Sequence, residues 1–163
     1  MSACRVGQGF DVHRFGRGGP LRLCGLELPS DLGLVGHSDA DVALHAICDA
    51  LFGTVAAGDL GEHFPSSDER WRGMASTVFL EHALEIVAAA GYRVVNCDLT
   101  IVGERPRISP HREVLRRRLA ELLGVESARI SVKATTTDGL GCCGRGEGLA
   151  AMAVVLVEEV ESK

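Results

Sequence analysis

The sequence predicts an α/β (α+β) fold with a mixed, mostly antiparallel sheet and helices packed on one face. The prediction rests on alternating apolar segments, typical of strands, that are interspersed with segments of helical period along the 163 residues. No internal repeat or Pro/Gly-rich linker divides the chain. We therefore expect residues 1–163 to form a single domain.

The composition argues against nucleic-acid-binding and membrane-spanning proteins. The formal net charge is −5, with Lys and Arg spread along the chain, which argues against a nucleic-acid-binding surface. The basic run 116–118 falls in a helical pattern and is interpreted as a solvated helix face. No apolar run reaches the roughly 20 residues that cross a bilayer, so we expect no membrane partner. A strand pattern begins almost at once, without a signal or transit peptide, and this favours the bacterial cytoplasm.

The six cysteines show no C-x-x-C pair and resemble neither a zinc cassette nor a disulfide framework. They are expected to be reduced and mostly small core residues. The adjacent Cys142 and Cys143, in a glycine-rich stretch, are a possible exception.

The first predicted strand, "CRVGQGFDVH", covers residues 4–13. Because side chains alternate along a strand, Asp11 and His13 project from one face. Phe10 and Val12 are then expected to point the other way, into a core. The segment "LRLCGLEL" predicts two short strands around a Cys-Gly turn.

A helix is predicted over residues 37–53, with Ser38 as its N-cap and Gly53 as its stop. Its apolar stripe consists of Leu44, Ile47, Cys48 and Leu51. The following segment, 56–73, is rich in Gly, Ser, Pro and charged residues, so we predict a long loop there. Loops of that length in a compact domain often act as lids.

The second half of the chain continues the alternation. The predicted elements are a helix over 75–90 ended by Gly91, a strand over 92–103 with Val95, Cys97, Leu99 and Ile101 on one face, a helix over 109–124, a strand over 129–137 with Ile130, Val132 and Ala134 inward, and a final strand over 148–160.

The predicted 37–53 helix carries a third imidazole that could join the first strand. Asp41 and His45 are four residues apart and share a helix face. If His45 meets Asp11 and His13, the three suit a zinc ion with one coordination position open, as catalysis requires. Alternatively, His45 is a hydrogen-bonded core histidine and Asp11 caps a turn. Asp41 either orients a neighbouring group or is an ordinary acid at a helix N-terminus.

Two further segments carry polar groups at predicted strand ends. In "SVKATTTDGLG", residues 135–137 offer hydroxyl and backbone N–H groups to a phosphate, and Asp138 could hold Mg²⁺. The alternative for the threonines is simple strand propensity. In "TIVGERPRISPH", backbone groups of a Pro-containing loop could contact a base, although this pattern alone is weak.

Taken together, "GFDVHRF", "HSDADVALHAICDALFGTVAAGDLGEHFP", "VKATTTDGLG" and "GRGEG" resemble the 2-C-methyl-D-erythritol 2,4-cyclodiphosphate synthase family, over nearly the whole chain and in the right order. The resemblance implies a divalent-metal-dependent phosphorus–oxygen lyase of non-mevalonate isoprenoid biosynthesis. It also implies a homotrimer with active sites between subunits. The implied reaction converts 4-diphosphocytidyl-2-C-methyl-D-erythritol 2-phosphate to the 2,4-cyclodiphosphate and CMP.

The resemblance also assigns roles to residues. The implied zinc ligands, one ion per subunit, are Asp11, His13 and His45, and Asp138 is implied to bind Mg²⁺ or Mn²⁺ that bridges the substrate diphosphate. The implied catalytic residues are His37, Asp59, Thr136 and Asp138. Among the implied substrate-binding residues, Ser38 contacts the phosphate and erythritol part, and Thr135 and Thr136 hold the cytidine diphosphate. The residues implied to surround cytosine are Gly103, Pro106, Arg107, Ile108 and Ser109. Arg145 is implied to face a central cavity of the trimer.

This chain departs from the family pattern at four places. Asp138 replaces a Glu, so the Mg²⁺ contact could run through water. Cys142-Cys143 replaces Phe-Thr, which puts isoprenoid binding in the central cavity in doubt. Ser66 replaces an acid in the predicted lid, and Ala75 replaces the acid often found before Ser76; both changes could loosen the lid or shift its substrate contacts. Two alternatives stay open: a zinc-dependent nucleotide phosphohydrolase, and a non-catalytic trimeric protein that binds isoprenoid diphosphates.

Overall fold

The strand order of the main sheet confirms a mixed, mostly antiparallel arrangement. The computed structural model describes residues 3–17 and 19–160. Its strands are β1 (Cys4–Gly16), β2 (Leu21–Leu23), β3 (Leu26–Leu28), β4 (Gly33–Leu34), β5 (Tyr92–Val102), β6 (Ile130–Thr135) and β7 (Gly148–Glu159). The main sheet has the order β4-β1-β7-β5-β6, and only β5 and β6 pair in parallel. The predicted Cys-Gly turn joins β2 and β3 in a separate hairpin.

The helices are α1 (Val42–Thr54), α2 (Leu60–His63), α3 (Ser76–Ala89), α4 (Arg112–Leu123) and α5 (Gly141–Gly144). Short 3₁₀ turns lie at Glu69–Trp71, Ser109–His111 and Ser127–Arg129. α1 packs across β1 and β7, α3 packs on α1 and β5, and α4 packs on β6. These three helices and the alternate residues of the strands below them form the core.

Two glycines of β1 allow α1 to lie very close to the sheet. A Cβ atom on Gly7 would be 1.8 Å from the carbonyl oxygen of Ala50, and one on Gly9 would be 1.9 Å from that of Ala46. Both distances are far below van der Waals contact, so only glycine fits at either position. Gly7 and Gly9 lie on the same face of β1 as Asp11 and His13, since side chains alternate. The close approach therefore brings α1 to the part of β1 that bears these polar residues.

The start of α1 differs from the prediction. The helix begins at Val42 and its N-cap is Asp41, not Ser38. The buried Asp41 carboxylate accepts hydrogen bonds from the backbone N–H groups of Leu44, Cys24 and Gly25. It thus caps the helix and fixes the β2–β3 turn against it, which favours the helix N-terminal interpretation of this residue. Gly53 is not the stop either, because the helix continues to Thr54.

The prediction that Phe10 and Val12 point into a core is wrong. Their side chains lie on the sheet face opposite the helices and are 54% and 46% exposed. They adjoin Val6, Met152 and Val154 on neighbouring positions of β1 and β7, which are exposed as well. These five residues share one sheet face with the exposed Gln8, and this face is called the open sheet face below. Alternation identified which residues share a face, but not which face the helices cover.

Two smaller corrections concern residues 56–73 and β6. The predicted loop contains the short helix α2 and the Glu69–Trp71 turn, because Asp59 and Asp68 accept backbone hydrogen bonds at their starts. Ala134 lies on the same face as Ile130 and Val132, beside Ile101 of β5, but it is exposed because it lines a cavity.

The other predicted helices and strands are present, with bounds shifted by a few residues. In β5, a bulge between Val94 and Asn96 breaks the alternation, so Val94 rather than Val95 packs against the core with Cys97, Leu99 and Ile101.

Candidate metal centre and adjoining cavities

The structure brings Asp11, His13 and His45 together. Oδ2 of Asp11 lies 2.9 Å from Nε2 of His13 and 2.9 Å from Nδ1 of His45, and these two ring nitrogens are 3.1 Å apart. β1 supplies the first two side chains and α1 supplies the third. The three ligand-type atoms all lie within 4.8 Å of one another and are therefore close enough to bind one metal ion.

Hydrogen bonds behind the histidines turn their lone pairs toward one another. The Nδ1–H of His13 donates to the carbonyl of Val35 at 2.9 Å, which leaves Nε2 as the lone-pair atom. On His45, Nε2 faces the hydroxyls of Ser76 at 2.9 Å and Ser38 at 3.1 Å. The Ser76 hydroxyl in turn donates to Asp39, so it accepts from His45 and leaves Nδ1 unprotonated. Two imidazole lone pairs and a carboxylate at this distance repel one another unless a cation lies between them.

In metal-free protein, a proton on a histidine can take the place of that cation, and the pKa values reflect its attraction to Asp11. Burial raises the pKa of Asp11, but hydrogen bonds and charge attraction from His13 and His45 outweigh it and hold the pKa well below its usual range. Burial lowers the pKa of His13, but the contacts with Asp11 and the Val35 carbonyl leave it raised above 6.5. The donor set of two nitrogens and one oxygen fits a divalent ion that accepts both atom types, such as zinc.

A cavity of about 200 Å³ opens beside these ligand atoms. It is called the histidine cavity, and its walls are His13, His37, Ser38, His45, Leu60, Phe64, Ser66, Trp71 and Phe79. Two sequence-predicted residues, His37 and Ser38, therefore lie on its wall. Asp59 is the N-cap of α2, where its carboxylate accepts the Glu62 N–H at 3.0 Å.

A second cavity of about 180 Å³ lies at the carboxyl ends of β5 and β6 and is called the loop cavity. Its walls include Gly103, Pro106, Arg107, Ile108, Ser109, Thr135 and Thr136, all of which sequence reasoning selected. β5 and β6 are parallel, so the 103–109 loop and the threonines leave the sheet at the same edge. Among residues 3–17 and 19–160, none lines both cavities.

The remaining predicted residues lie just beyond β6. Asp138 has the left-handed φ of 55° and its N–H donates to the hydroxyl of Thr136 at 3.3 Å. Arg145 is exposed and donates to the Glu147 carboxylate at 2.7 Å. The structure therefore groups Asp138 with the threonines. Neither Asp138 nor Arg145 belongs to the metal-ligating group of Asp11, His13 and His45 in the same chain.

Sequence reasoning missed the residues that hold the site in shape. Val35, Asp39 and Ser76 orient the two histidines, and Gly7 and Gly9 seat α1. The pattern "GQG" before "FDVH" was a signal for close backbone approach. The roles of Val35 and Ser76 had no local signal, because they depend on contacts across 22 and 31 residues of sequence.

Comparison with known proteins places this geometry in a family. The YgbB family matches residues 4–158. A 2-C-methyl-D-erythritol 2,4-cyclodiphosphate synthase of Cereibacter sphaeroides is 54% identical over 151 residues, which cover 93% of this chain and 95% of that protein. A bifunctional enzyme IspD/IspF of Caulobacter vibrioides is 56% identical over 154 residues. The match covers 94% of this chain, which spans only 40% of the length of that bifunctional relative.

Solved structures share the fold. The bifunctional IspDF of Campylobacter jejuni superposes with a TM-score of 0.94 at 34% identity, covering 99% of this chain and 44% of that one. A 2C-methyl-D-erythritol-2,4-cyclodiphosphate synthase in a CDP-bound form has a TM-score of 0.86 at 41% identity, with 94% and 99% coverage. Within residues 3–17 and 19–160, no helix combines the length and apolar character needed to traverse a bilayer. By the family match and by its identity to a synthase of almost the same length, the chain belongs to the YgbB family, alongside the 2-C-methyl-D-erythritol 2,4-cyclodiphosphate synthases.

Proposed function

We propose that this protein converts 4-diphosphocytidyl-2-C-methyl-D-erythritol 2-phosphate to 2-C-methyl-D-erythritol 2,4-cyclodiphosphate and CMP. The observation that carries the proposal is the convergence of Asp11, His13 and His45 beside a cavity, in a chain of this family. In the reaction, the 2-phosphate oxygen bonds to the β-phosphorus, the bond from that phosphorus to the oxygen bridging to the α-phosphate breaks, and CMP leaves.

Two metals belong to this proposal. Asp11, His13 and His45 would hold zinc, and Asp138 would bind Mg²⁺ or Mn²⁺. When bound, these ions would neutralise phosphate charge and polarise phosphoryl oxygens. The buried Ser76 keeps the Nε2 of His45 engaged, so the lone pair on Nδ1 stays directed at the zinc position.

The chain's own contribution is to fold a flexible substrate into a ring-closing shape. The attacking phosphate is already anionic near neutral pH, so no general base is needed. Holding the reacting groups together is worth up to about 7–11 kcal/mol in favourable intramolecular reactions. We assign that task to His37 and Ser38 on the histidine cavity and to Asp59 beside it, toward the phosphate and erythritol part.

The cytidine diphosphate would bind in the loop cavity. Backbone groups of residues 103–109 would contact cytosine, and the hydroxyls of Thr135 and Thr136 would hold the phosphates. A related synthase has been solved in a CDP-bound form, which supports a cytidine site in this family. The described residues that line one cavity do not line the other, and the proposal therefore places the histidine cavity of one subunit opposite the loop cavity of another.

We therefore propose a homotrimer with active sites between subunits. The open sheet face supports it, because several large apolar side chains exposed on one sheet face are typical of an interaction surface. Arg145 would face the central cavity of the assembly. We also propose that residues 1–163 form one cyclodiphosphate synthase domain. A bacterial cytoplasmic location fits the bacterial relatives.

Phosphorus NMR of the purified chain with the diphosphocytidyl substrate, zinc and Mg²⁺ tests the reaction. We expect a cyclic diphosphate to appear together with an equimolar amount of CMP. A linear phosphate product would instead establish the phosphohydrolase. Absence of turnover in protein with bound zinc would contradict the synthase and favour the non-catalytic binding protein.

A further inference from the structure

The histidine cavity contains a hydrogen-bond donor that the proposed mechanism does not use. Trp71 lines this cavity, and its Nε1 atom is buried without an acceptor among the residues that the structure describes. An indole N–H can only donate, so no rearrangement of its own proton can satisfy it. A buried donor of this kind is costly unless something entering the cavity accepts its hydrogen bond.

The backbone around Trp71 is fixed to the wall of the same cavity. The Nε2–H of His37 donates to the carbonyl of Asp68 at 3.1 Å, and the N–H of Gly73 donates to the carbonyl of His37 at 2.8 Å. These two bonds hold the 3₁₀ turn that ends at Trp71 from both sides. His37, which we assign to the phosphate and erythritol part of the substrate, thereby also positions the indole.

Aromatic rings surround the indole on one side of the histidine cavity and offer its N–H no oxygen or nitrogen acceptor. Phe64 lies edge-on to it at 5.0 Å between ring centroids, and Phe79 does so at 6.2 Å. Phe79 also lies 6.2 Å from the ring of His45, so the indole and the metal-ligating imidazole border the same aromatic cluster. The guanidinium of Arg70 lies 5.2 Å from the indole centroid, and its charge is paired with the Asp68 carboxylate.

We infer that Trp71 is a specificity-determining residue whose indole N–H donates a hydrogen bond to an oxygen of the polyol phosphate part of the substrate. The inference rests on the proposed function, because it assigns that part of the substrate to the histidine cavity. Hydroxyl and phosphate oxygens are the acceptors that such a ligand supplies, and an apolar ligand would leave the indole unpaired. The nucleotide part, assigned to the loop cavity, does not make this contact.

The chain has one tryptophan, so its indole gives a single, unambiguous NMR signal. We would label the full chain with ¹⁵N-tryptophan, load it with zinc and Mg²⁺, and add 2-C-methyl-D-erythritol 2,4-cyclodiphosphate, the cyclic product. On binding of the cyclic product, the chemical shift of the indole N–H proton is expected to move downfield, and this proton should exchange more slowly with solvent. CDP should leave the chemical shift unchanged. Calorimetry on the same samples reports independently whether each ligand binds.

Two variants complete the test. Trp71→Phe keeps an aromatic ring without the donor, and we expect KM to rise about tenfold with kcat nearly unchanged, as for a lost uniform binding contact. Phe64→Leu removes aromatic volume from the same wall but leaves the donor, so the downfield shift should persist in it. Product that binds by calorimetry without moving the indole signal, or an unchanged KM in Trp71→Phe, would overturn the inference and leave the synthase intact. If the product does not bind at all, the proposed function and this inference both fail.

Discussion

Gly9 of β1 and Ala46 of α1 are so close that a single methyl group would not fit between them. A Cβ on Gly9 would lie 1.9 Å from the Ala46 carbonyl oxygen. Ala46 immediately follows His45, and Gly9 precedes Asp11 by two residues on the same face of the strand. The spacing between these two backbones therefore determines the spacing between the candidate metal ligands.

Gly9→Ala is expected to push α1 away from β1. Overpacking against backbone cannot be relieved by a rotamer change, so we expect the free energy of unfolding to fall by about 3 kcal/mol or more. Zinc affinity should fall too, because His45 moves away from Asp11 and His13. Urea unfolding and zinc titration would measure the two effects.

Gly53→Ala, in α1, is the matched control, because it adds the same methyl group on the helix side of the α1–β1 contact. A Cβ there would meet the Cα of Gly7 at 3.8 Å, an ordinary contact. Because alanine is the better helix former, the control should be neutral or more stable by up to about 1 kcal/mol. Equal destabilisation by both substitutions would contradict the role given to the Gly9 contact.

His45→Ala is expected to abolish zinc binding and turnover without unfolding the chain. Groups that merely orient a metal ligand contribute about 10–100-fold to affinity, so loss of a ligand itself should cost at least 100-fold. Metal analysis, circular dichroism and the phosphorus NMR assay would be read together. His111→Ala, outside the metal-ligating group, should retain its zinc. An active, metal-replete His45→Ala protein would exclude this residue from the site.

The pH dependence of stability should change direction when zinc binds. In metal-free protein, Asp11 has a pKa below its usual 3.8, so its contribution is present above pH 3.8 and lost as the pH falls through the folded-state pKa. His13 has a pKa raised above 6.5, so its contribution is complete below pH 6.5 and is lost as the pH rises through the raised value. The Asp11–His13 pair is therefore strongest between those two limits.

Zinc requires unprotonated imidazoles, so the stabilisation that it gives should grow from pH 5.5 to 8. In metal-free protein, by contrast, the stabilising contribution of the Asp11–His13 pair should decline above pH 6.5. Thermal unfolding with EDTA or with zinc, at matched pH values, would show both trends. Asp11→Asn serves as the reference, because it removes the ion pair and weakens the zinc site. Parallel pH profiles for Asp11→Asn and wild type would refute the assignment.

Asp138→Asn should mainly raise the Mg²⁺ requirement of the proposed reaction. Asn tolerates the left-handed conformation that Asp138 adopts, at φ 55°, so the loop should keep its shape. We expect the half-saturating Mg²⁺ concentration to rise about 10- to 100-fold, as for a carboxylate that reaches the ion through water. Initial rates at a series of Mg²⁺ concentrations would test this, and an unaltered requirement would remove Asp138 from the metal site.

The sequence determined which residues share a face and where most elements lie. Alternation along β1 put Asp11 and His13 on one side, glycines marked the ends of α3 and α4, and the 148–160 pattern indicated the long last strand. The order of strands in the sheet did not follow from the chain. Neither did the side of β1 that the helices cover, and for this reason Phe10 and Val12 were assigned to a core that lies on their opposite side.

Only the tertiary structure decided how α1 starts and how the histidines are oriented. Ser38 and Asp41 are both good caps in sequence, but Asp41 also accepts bonds from the β2–β3 turn, and that distant contact selects it. In the same way, the hydrogen bond to Val35 directs Nε2 of His13 toward Asp11, and the hydrogen bond to Ser76 directs Nδ1 of His45 toward it. Local patterns encode periodicity and turn chemistry, whereas a site built from hydrogen bonds across 22 to 34 residues exists only once the chain is packed.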